Sequence, residues 1–182
     1  MSTDESARLF ERLIESGFNR GQLTELDELI STDFVEHQFG ADPGRDGLKQ
    51  LIQQMRTAFP DLRMTIEDLA VSGDKVRARL RCRGTHRGPL MGIPPTGRSI
   101  DTTALEVCRA KDGKLVEHWG VPDRFAAMTQ LGLLDGPPRT GGVRADSRPT
   151  EGRNRAGIRV VSRLAYDPVA LSRASGIPIH AS

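Results

Sequence analysis

The 182-residue sequence lacks the short motifs that mark metal, nucleotide and acyl-transfer chemistry. It contains no nucleophile elbow, phosphate-binding glycine loop, HExxH motif or dinucleotide-binding fingerprint. Its two cysteines, Cys82 and Cys108, show no CxxC or Cys/His ligand spacing. A metal site is therefore not expected, and both cysteines are interpreted as buried, reduced thiols.

Long apolar runs are also missing. The N-terminal segment MSTDESARLFERL is acidic and polar, without an apolar signal core, and no 18-residue apolar run occurs in the chain. We therefore expect a soluble, cytoplasmic protein with no membrane partner.

Charge is nearly balanced, with a formal net charge of +2, but it is unevenly spread. Segment 135–182 is rich in Gly, Pro and Arg, and holds 8 Arg against 4 Asp or Glu. These basic residues are scattered and form no helical stripe, so a nucleic-acid partner is not expected. Apart from a weak apolar patch at Ile158–Leu164, the segment has no periodicity. We predict one domain over 1–134 and a largely disordered tail over 135–182.

Apolar residues recur at helical spacing in three N-terminal segments. The first stripe is Phe10, Leu13 and Ile14; the second is Leu23, Leu26, Leu29 and Ile30; the third is Leu48, Leu51, Ile52, Met55 and Phe59. Asp46 is positioned to cap the third helix, and Pro60 ends it. A short strand is predicted in DFVEHQF between the second and third helices, with Val35 and His37 on one face.

Four strands follow, at 62–71, 76–83, 100–109 and 115–121, before a last helix at 124–131. In the second of these, Val76, Ala78, Leu80 and Cys82 alternate with four arginines, which indicates a sheet with one apolar face. Asp112-Gly113 predicts a tight hairpin turn. This order predicts an α+β fold: a curved, cone-shaped antiparallel sheet whose concave face and three N-terminal helices enclose a pocket.

Asp123 is the first candidate for catalysis. A two-residue turn at Asp112-Gly113 pairs Glu106 with Trp119 and places Trp119 and Asp123 on the pocket face, with His118 on the opposite face. A carboxylate beside Trp119 and aliphatic walls loses water, which suits a general acid or base near neutral pH. Two alternatives stay open: Asp123 is only the N-cap of the last helix, or the register differs by one and every side chain is reversed.

Further site candidates follow from strand parity. His86 continues the parity of Cys82 and is expected at the pocket edge as a hydrogen-bond donor; the alternative is a loop histidine bonded to backbone. His37 shares the parity of Val35 and is expected to enter the same pocket, although alone it suggests a core histidine. Glu106 or Glu117, both beside Trp119 in this register, is expected as a second pocket carboxylate. The expected apolar lining is Met55, Phe59, Met91 and Ile93, of which the last two lie in the loop GPLMGIPPTG at the pocket rim.

Residues 58–98, AFPDLRMTIEDLAVSGDKVRARLRCRGTHRGPLMGIPPTGR, together with DGKLVEHW, Asp123 and QLG, resemble the SnoaL-like polyketide cyclases, or ester cyclases. This family shares its fold with nuclear transport factor 2, ketosteroid isomerase and limonene epoxide hydrolase. The resemblance covers about residues 5–134 and implies the α+β cone. It also implies ring closure of a hydrophobic, polyketide-like substrate by intramolecular aldol condensation without a metal or cofactor. Asp123 matches the acid/base aspartate of the family, and His86 and His37 match its two histidines.

The resemblance also implies a homodimer that pairs the outer sheet faces. The outward row Arg77, Arg79, Arg81 and Arg83 would repel its copy unless acidic residues such as Glu67 or Asp101 interleave. The leading hypothesis is therefore a cofactor-independent cyclase. The alternatives are a non-catalytic small-molecule binding domain, or another isomerase or lyase of the same fold. Epoxide hydrolysis is disfavoured, because Asn19 is the sole Asn of 1–134 and that segment has no Tyr.

Overall fold

The computed structural model describes residues 2–135, 150–153 and 159–162. Helix α1 (Thr3–Arg12) begins with a capping box, in which Ser2 accepts the Glu5 N–H and the Glu5 side chain accepts the Ser2 N–H. The chain continues as a π-helical segment (Leu13–Asn19), a 3-10 turn (Leu23–Glu25) and the short helix α2 (Leu26–Leu29). The predicted stripe of Phe10, Leu13 and Ile14 is buried.

Helix α3 (Gly44–Ala58) follows strand β1 (Ile30–Glu36). Its N-cap is Pro43 and no side chain caps it, so the predicted capping role of Asp46 is wrong. Asp46 lies in the first turn instead, where a negative charge stabilises the N-terminal end of the helix dipole. Leu48 and Ile52 are buried as their spacing predicts.

One seven-stranded sheet has the order β1-β5-β4-β3-β2-β7-β6. Strands β2 (Arg63–Ser72), β3 (Lys75–Thr85), β4 (Ser99–Lys111) and β5 (Lys114–Pro122) form the predicted antiparallel meander, and β1 joins β5 in parallel. Asp112 and Gly113 have φ values of 50° and 76°, which a two-residue type I′ turn requires. Helix α4 (Arg124–Gln130) follows β5 directly.

The two faces of the sheet differ as the alternation in β3 predicts. Val76 and Leu80 are fully buried under the helices. On the outer face Arg79 pairs with Glu67 and Asp68, and Arg81 pairs with Asp101 at 2.6 Å. Acidic residues therefore interleave with the arginine row. The curved, helix-covered sheet confirms the α+β prediction. No helix within the described ranges is long and apolar enough to cross a membrane.

Two further strands, β6 (Thr150–Arg153) and β7 (Arg159–Ser162), extend the sheet beyond β2. Strand β7 falls within the apolar patch at 158–164. The other residues of the tail beyond 135 lie outside the described residues, so the predicted disorder of 135–182 stays a prediction.

Candidate active site

A cavity of about 260 Å³ lies between the helices and the concave face of the sheet. Most of the lining is apolar and comes from α1, the π-helical segment, α3, α4, strands β1 to β5 and the loops between them: Phe10, Leu13, Ile14, Phe18, Phe34, Leu48, Leu51, Met55, Phe59, Leu62, Met64, Leu80, Leu90, Met91, Ile100, Ala104, Pro122, Ala127, Met128 and Leu131. The polar lining is Gln38, Gln54, Cys82, Thr102, Glu106, His118, Asp123 and Arg124. Such a site suits an apolar ligand that is oriented by a few polar groups.

A β-bulge in β5 decides which of its side chains enter the cavity. Ala110 pairs with Leu115 but Arg109 pairs with Glu117, so Val116 is an extra, unpaired residue. Beyond it the parity is reversed: Val107, not Glu106, pairs with Trp119, and His118 faces the cavity. The predicted register is therefore wrong beyond Val116.

Trp119 was expected in the pocket and lies on the outer face instead. Its ring stacks on His37 with centroids 4.6 Å apart and planes 5° from parallel, and the Lys75 ammonium lies 5.6 Å from its centroid. The predicted pocket position of His37 is also wrong. Its Nε2 lies 2.9 Å from Glu117 Oε1 on this outer face. Side chains alternate along β1, and Phe34 and Glu36 are the ones that face inward.

Glu36, His118 and Glu106 form a buried polar cluster at the cavity. His118 Nδ1 lies 2.9 Å from both Glu36 oxygens, and His118 Nε2 lies 2.6 Å from Glu106 Oε2. The side chains are only 1%, 13% and 9% exposed for Glu36, His118 and Glu106 respectively. The Gln38 N–H donates to Glu36 Oε1 at 2.8 Å and orients this carboxylate. Glu106 thus occupies the cavity as predicted.

The charge of His118 is set by two opposing effects. Burial lowers the pKa of His118, but hydrogen bonds and charges from Glu106 and Glu36 outweigh it and raise the pKa from 6.5 to about 9. At neutral pH the cluster therefore holds an imidazolium that donates both N–H groups to carboxylates.

Gly120 makes room for this cluster. A Cβ atom at this position would lie 2.2 Å from Gln38 Oε1, 2.7 Å from Glu106 Oε2 and 2.8 Å from His118 Cε1. Any side chain at position 120 would therefore displace the cluster.

Asp123 lies at the junction of β5 and α4 and lines the cavity. Its Oδ1 accepts the Ala126 N–H at 2.8 Å, so the alternative role as N-cap of the last helix is confirmed. The side chain is exposed, not dehydrated by Trp119 as expected, because the bulge turns Trp119 to the other face. No hydrogen bond within the described residues occupies the second oxygen, Oδ2.

His86 is fully buried, as its parity predicts, but it does not line the cavity. Its ring packs 5.4 Å from the ring of Phe59, which lies in the cavity wall. Nδ1 accepts the Thr96 N–H at 3.2 Å, as in the alternative of a loop histidine bonded to backbone. The expected place at the pocket edge is therefore corrected to one behind the wall, where Nε2 has no partner among the described residues.

Three of the four predicted apolar lining residues contact the cavity, and one does not. Met55, Phe59 and Met91 line the cavity, whereas Ile93 does not. Leu90 and Ile93 exchange backbone hydrogen bonds of 3.0 and 2.8 Å around Met91 and Gly92, both at positive φ. This tight turn projects Met91 to the cavity rim and leaves Ile93 beside it.

Cys82 lines the cavity but is no nucleophile. Burial, followed by the charge of Glu106, raises the pKa of its thiol to about 12. The same two causes raise the pKa of the Cys108 thiol. Within 2–135 and the two tail strands, no group of three or more His, Cys, Asp or Glu side chains is arranged to hold a metal ion.

Sequence reasoning missed Glu36 as a site residue and discounted His118. A signal was available in Gly120, because an isolated glycine within a strand often marks a bulge or a close approach of other groups. The position of the extra residue could not be read from the alternation, because Val116 and Glu117 fit either face.

Comparison with known proteins agrees with this architecture. Residues 8–131 match the family model for SnoaL-like polyketide cyclase. The chain is 31% identical to nogalonic acid methyl ester cyclase of Streptomyces nogalater over 122 residues, which cover 64% of this chain and 90% of that protein. It is 28% identical to the aklanonic acid methyl ester cyclase DnrD of Streptomyces peucetius over 131 residues, 68% and 88% of the two chains.

Solved structures give the same result. TsrD from Streptomyces laurentii superposes with a TM-score of 0.68 at 28% identity and covers 74% of this chain and 99% of its own. IdmH from Streptomyces antibioticus superposes with a TM-score of 0.63 at 39% identity, and the match covers 70% of this chain and 98% of IdmH.

Proposed function

Because the chain belongs to the SnoaL-like polyketide cyclase family, we propose that it closes a ring in a polyketide-like ester by a cofactor-independent, intramolecular aldol-type reaction in which no water is lost. The observation that carries this proposal is the Asp123 carboxylate in the lining of a largely apolar cavity, with one oxygen that no residue of the described ranges bonds. Similar chains are named as cyclases of nogalonic and aklanonic acid methyl esters.

The reaction needs one group that moves a proton. Asp123 removes a C–H proton next to a carbonyl, and the resulting enolate carbon attacks a second carbonyl of the same molecule. Asp123 then returns the proton to the new alkoxide, so one C–C bond forms and the mass of the molecule does not change. The apolar walls fold the substrate so that the two carbons meet, which supplies the proximity contribution to the rate.

The enolate oxygen needs a hydrogen-bond donor. The expected donors His86 and His37 lie outside the cavity lining, so this role is not assigned to them. The lining includes three uncharged side-chain donors, Thr102, Gln38 and Gln54. A neutral donor held in a water-poor cavity stabilises such charge more strongly than one in water.

The test compares wild type with Asp123→Asn on aklanonic acid methyl ester. Asn caps a helix about as well as Asp, so the variant should keep the wild-type melting temperature. We expect turnover to fall by at least a hundredfold, within the range for loss of a general acid/base. Unchanged turnover in a folded Asp123→Asn protein would remove Asp123 from the mechanism.

A second candidate is a non-catalytic binding domain. The exposure of Asp123 and its N-cap bond favour it, since capping alone accounts for an Asp at this position. Mass spectrometry of ligand released from the purified protein distinguishes the two: a ligand that returns unchanged after prolonged incubation favours binding, and an isomer of the added ester favours the cyclase.

We further propose a homodimer that pairs the outer sheet faces. Leu105 and Val121 are paired neighbours on that face and are 55% and 69% exposed. The nearby Arg79 and Arg81 pair with acidic residues of the same chain. Light scattering at micromolar protein concentration tests the proposed homodimer, and a mass equal to that of one chain would contradict it.

A further inference from the structure

Glu106 is a cavity carboxylate that ring closure through Asp123 does not use. The Glu106 side chain is only 9% exposed, and it lines the cavity. His118 occupies Oε2, and no described residue donates to Oε1. Oε1 keeps some accessible surface at the cavity, so a ligand hydroxyl can bond to it in place of water.

We infer that Glu106 is a fixed hydrogen-bond acceptor that selects ligands carrying a hydroxyl donor, of the phenol or enol class, at this end of the cavity. The inference deepens the proposed function and rests on the same cavity as the binding site. It concerns recognition of the ligand and not the proton transfer assigned to Asp123.

The cluster fixes the acceptor in place. The Gln38 N–H orients Glu36, both Glu36 oxygens hold His118 Nδ1, and His118 Nε2 holds Glu106. Gly120 closes one side of the cluster without a side chain. Because the acceptor is held before the ligand arrives, little conformational entropy is lost when the ligand bonds to it.

The cluster also determines which hydrogen-bonding group a ligand must supply. His118 Nε2 lies 2.6 Å from Glu106 Oε2 and leaves Oε1 as the oxygen open to a ligand. A carboxylate oxygen accepts hydrogen bonds and has no hydrogen to donate. Two carboxylates against one imidazolium leave a net negative charge, which disfavours an anionic ligand group at this place. A neutral hydroxyl satisfies both conditions.

The test uses two unreactive probes, 1-naphthol and 1-methoxynaphthalene. The second carries a methyl group in place of the hydroxyl hydrogen and therefore cannot donate a hydrogen bond. Equilibrium dialysis at pH 7 should show that wild type binds 1-naphthol at least about tenfold more tightly, the typical worth of a hydrogen bond to a charged group. Equal affinities for the two probes in wild type would overturn the inference, whether or not any variant folds.

Glu106→Gln sharpens the test. Its amide oxygen must face the His118 donor, so its NH₂ group faces the cavity and the preference for the hydroxyl should disappear or reverse. Glu67→Gln, on the outer face beside Arg79, is the matched control and should keep the wild-type preference. An undiminished preference in folded Glu106→Gln would overturn the inference.

The probes contain no pair of carbonyls and cannot cyclise, so the binding result is independent of turnover. Failure of the cyclase proposal would appear as unconverted ester with the naphthol preference intact. Failure of the Glu106 inference would appear as equal probe affinities with turnover intact.

Discussion

The ionisation of His118 is controlled by two neighbouring carboxylates, Glu106 and Glu36. Its pKa is about 9 in the folded protein, against 6.5 for the unperturbed group, because the contribution of Glu106 and Glu36 exceeds the cost of burial. A raised pKa means that the folded state binds the proton more tightly than the unfolded state. The resulting stabilisation is fully present below pH 6.5 and is lost as pH rises through about 9.

We therefore predict that the free energy of unfolding falls by about 1–3 kcal/mol between pH 6.5 and 9.5. Urea denaturation across this range measures it. His118→Gln should be less stable at pH 6.5 and should lose this decline, whereas His37→Gln, which removes the exposed histidine of the outer face, should retain it. A decline of equal size in wild type and His118→Gln would show that other groups cause it.

At the scale of elements, β5 determines the composition of the site. Alternation and turn chemistry placed the meander strands within about two residues of their observed limits, because burial on one face of a sheet imposes a period of two. The bulge at Val116 could not be predicted in this way, since an extra residue leaves the local pattern intact and reverses everything beyond it. Trp119 and His118 exchanged faces for this reason. In β1, the same one-residue ambiguity exchanged His37 for Glu36.

Gly120→Ala tests the packing of this element. Its Cβ would lie 2.2 Å from Gln38 Oε1, so the cluster must shift or β5 must move. We expect a loss of about 1–3 kcal/mol of stability and a weaker decline of stability between pH 6.5 and 9.5. Arg8→Ala, at an exposed position of α1 away from the outer sheet face, should change stability by less than about 0.5 kcal/mol. Wild-type behaviour of Gly120→Ala in thermal melts and in the pH series would contradict the close packing around the cluster.

At the scale of the whole molecule, helices on one face of a curved sheet leave a cavity that the core does not fill. The fold and its pocket were predictable from the sequence, because apolar periodicity reports which face of each element is buried. The division of polar residues between cavity and outer face was not, because it depends on register and on side-chain partners distant in sequence. Asp123 illustrates the limit: its cap follows from local sequence, whereas its place in the cavity lining depends on how α4 packs against β4.

The most direct measurement is conversion of aklanonic acid methyl ester by protein dialysed against EDTA, followed by liquid chromatography and mass spectrometry. We predict a product of unchanged mass and altered retention, formed at a rate proportional to protein concentration, because intramolecular aldol closure only rearranges bonds. No conversion, or a product whose mass has changed, would contradict it.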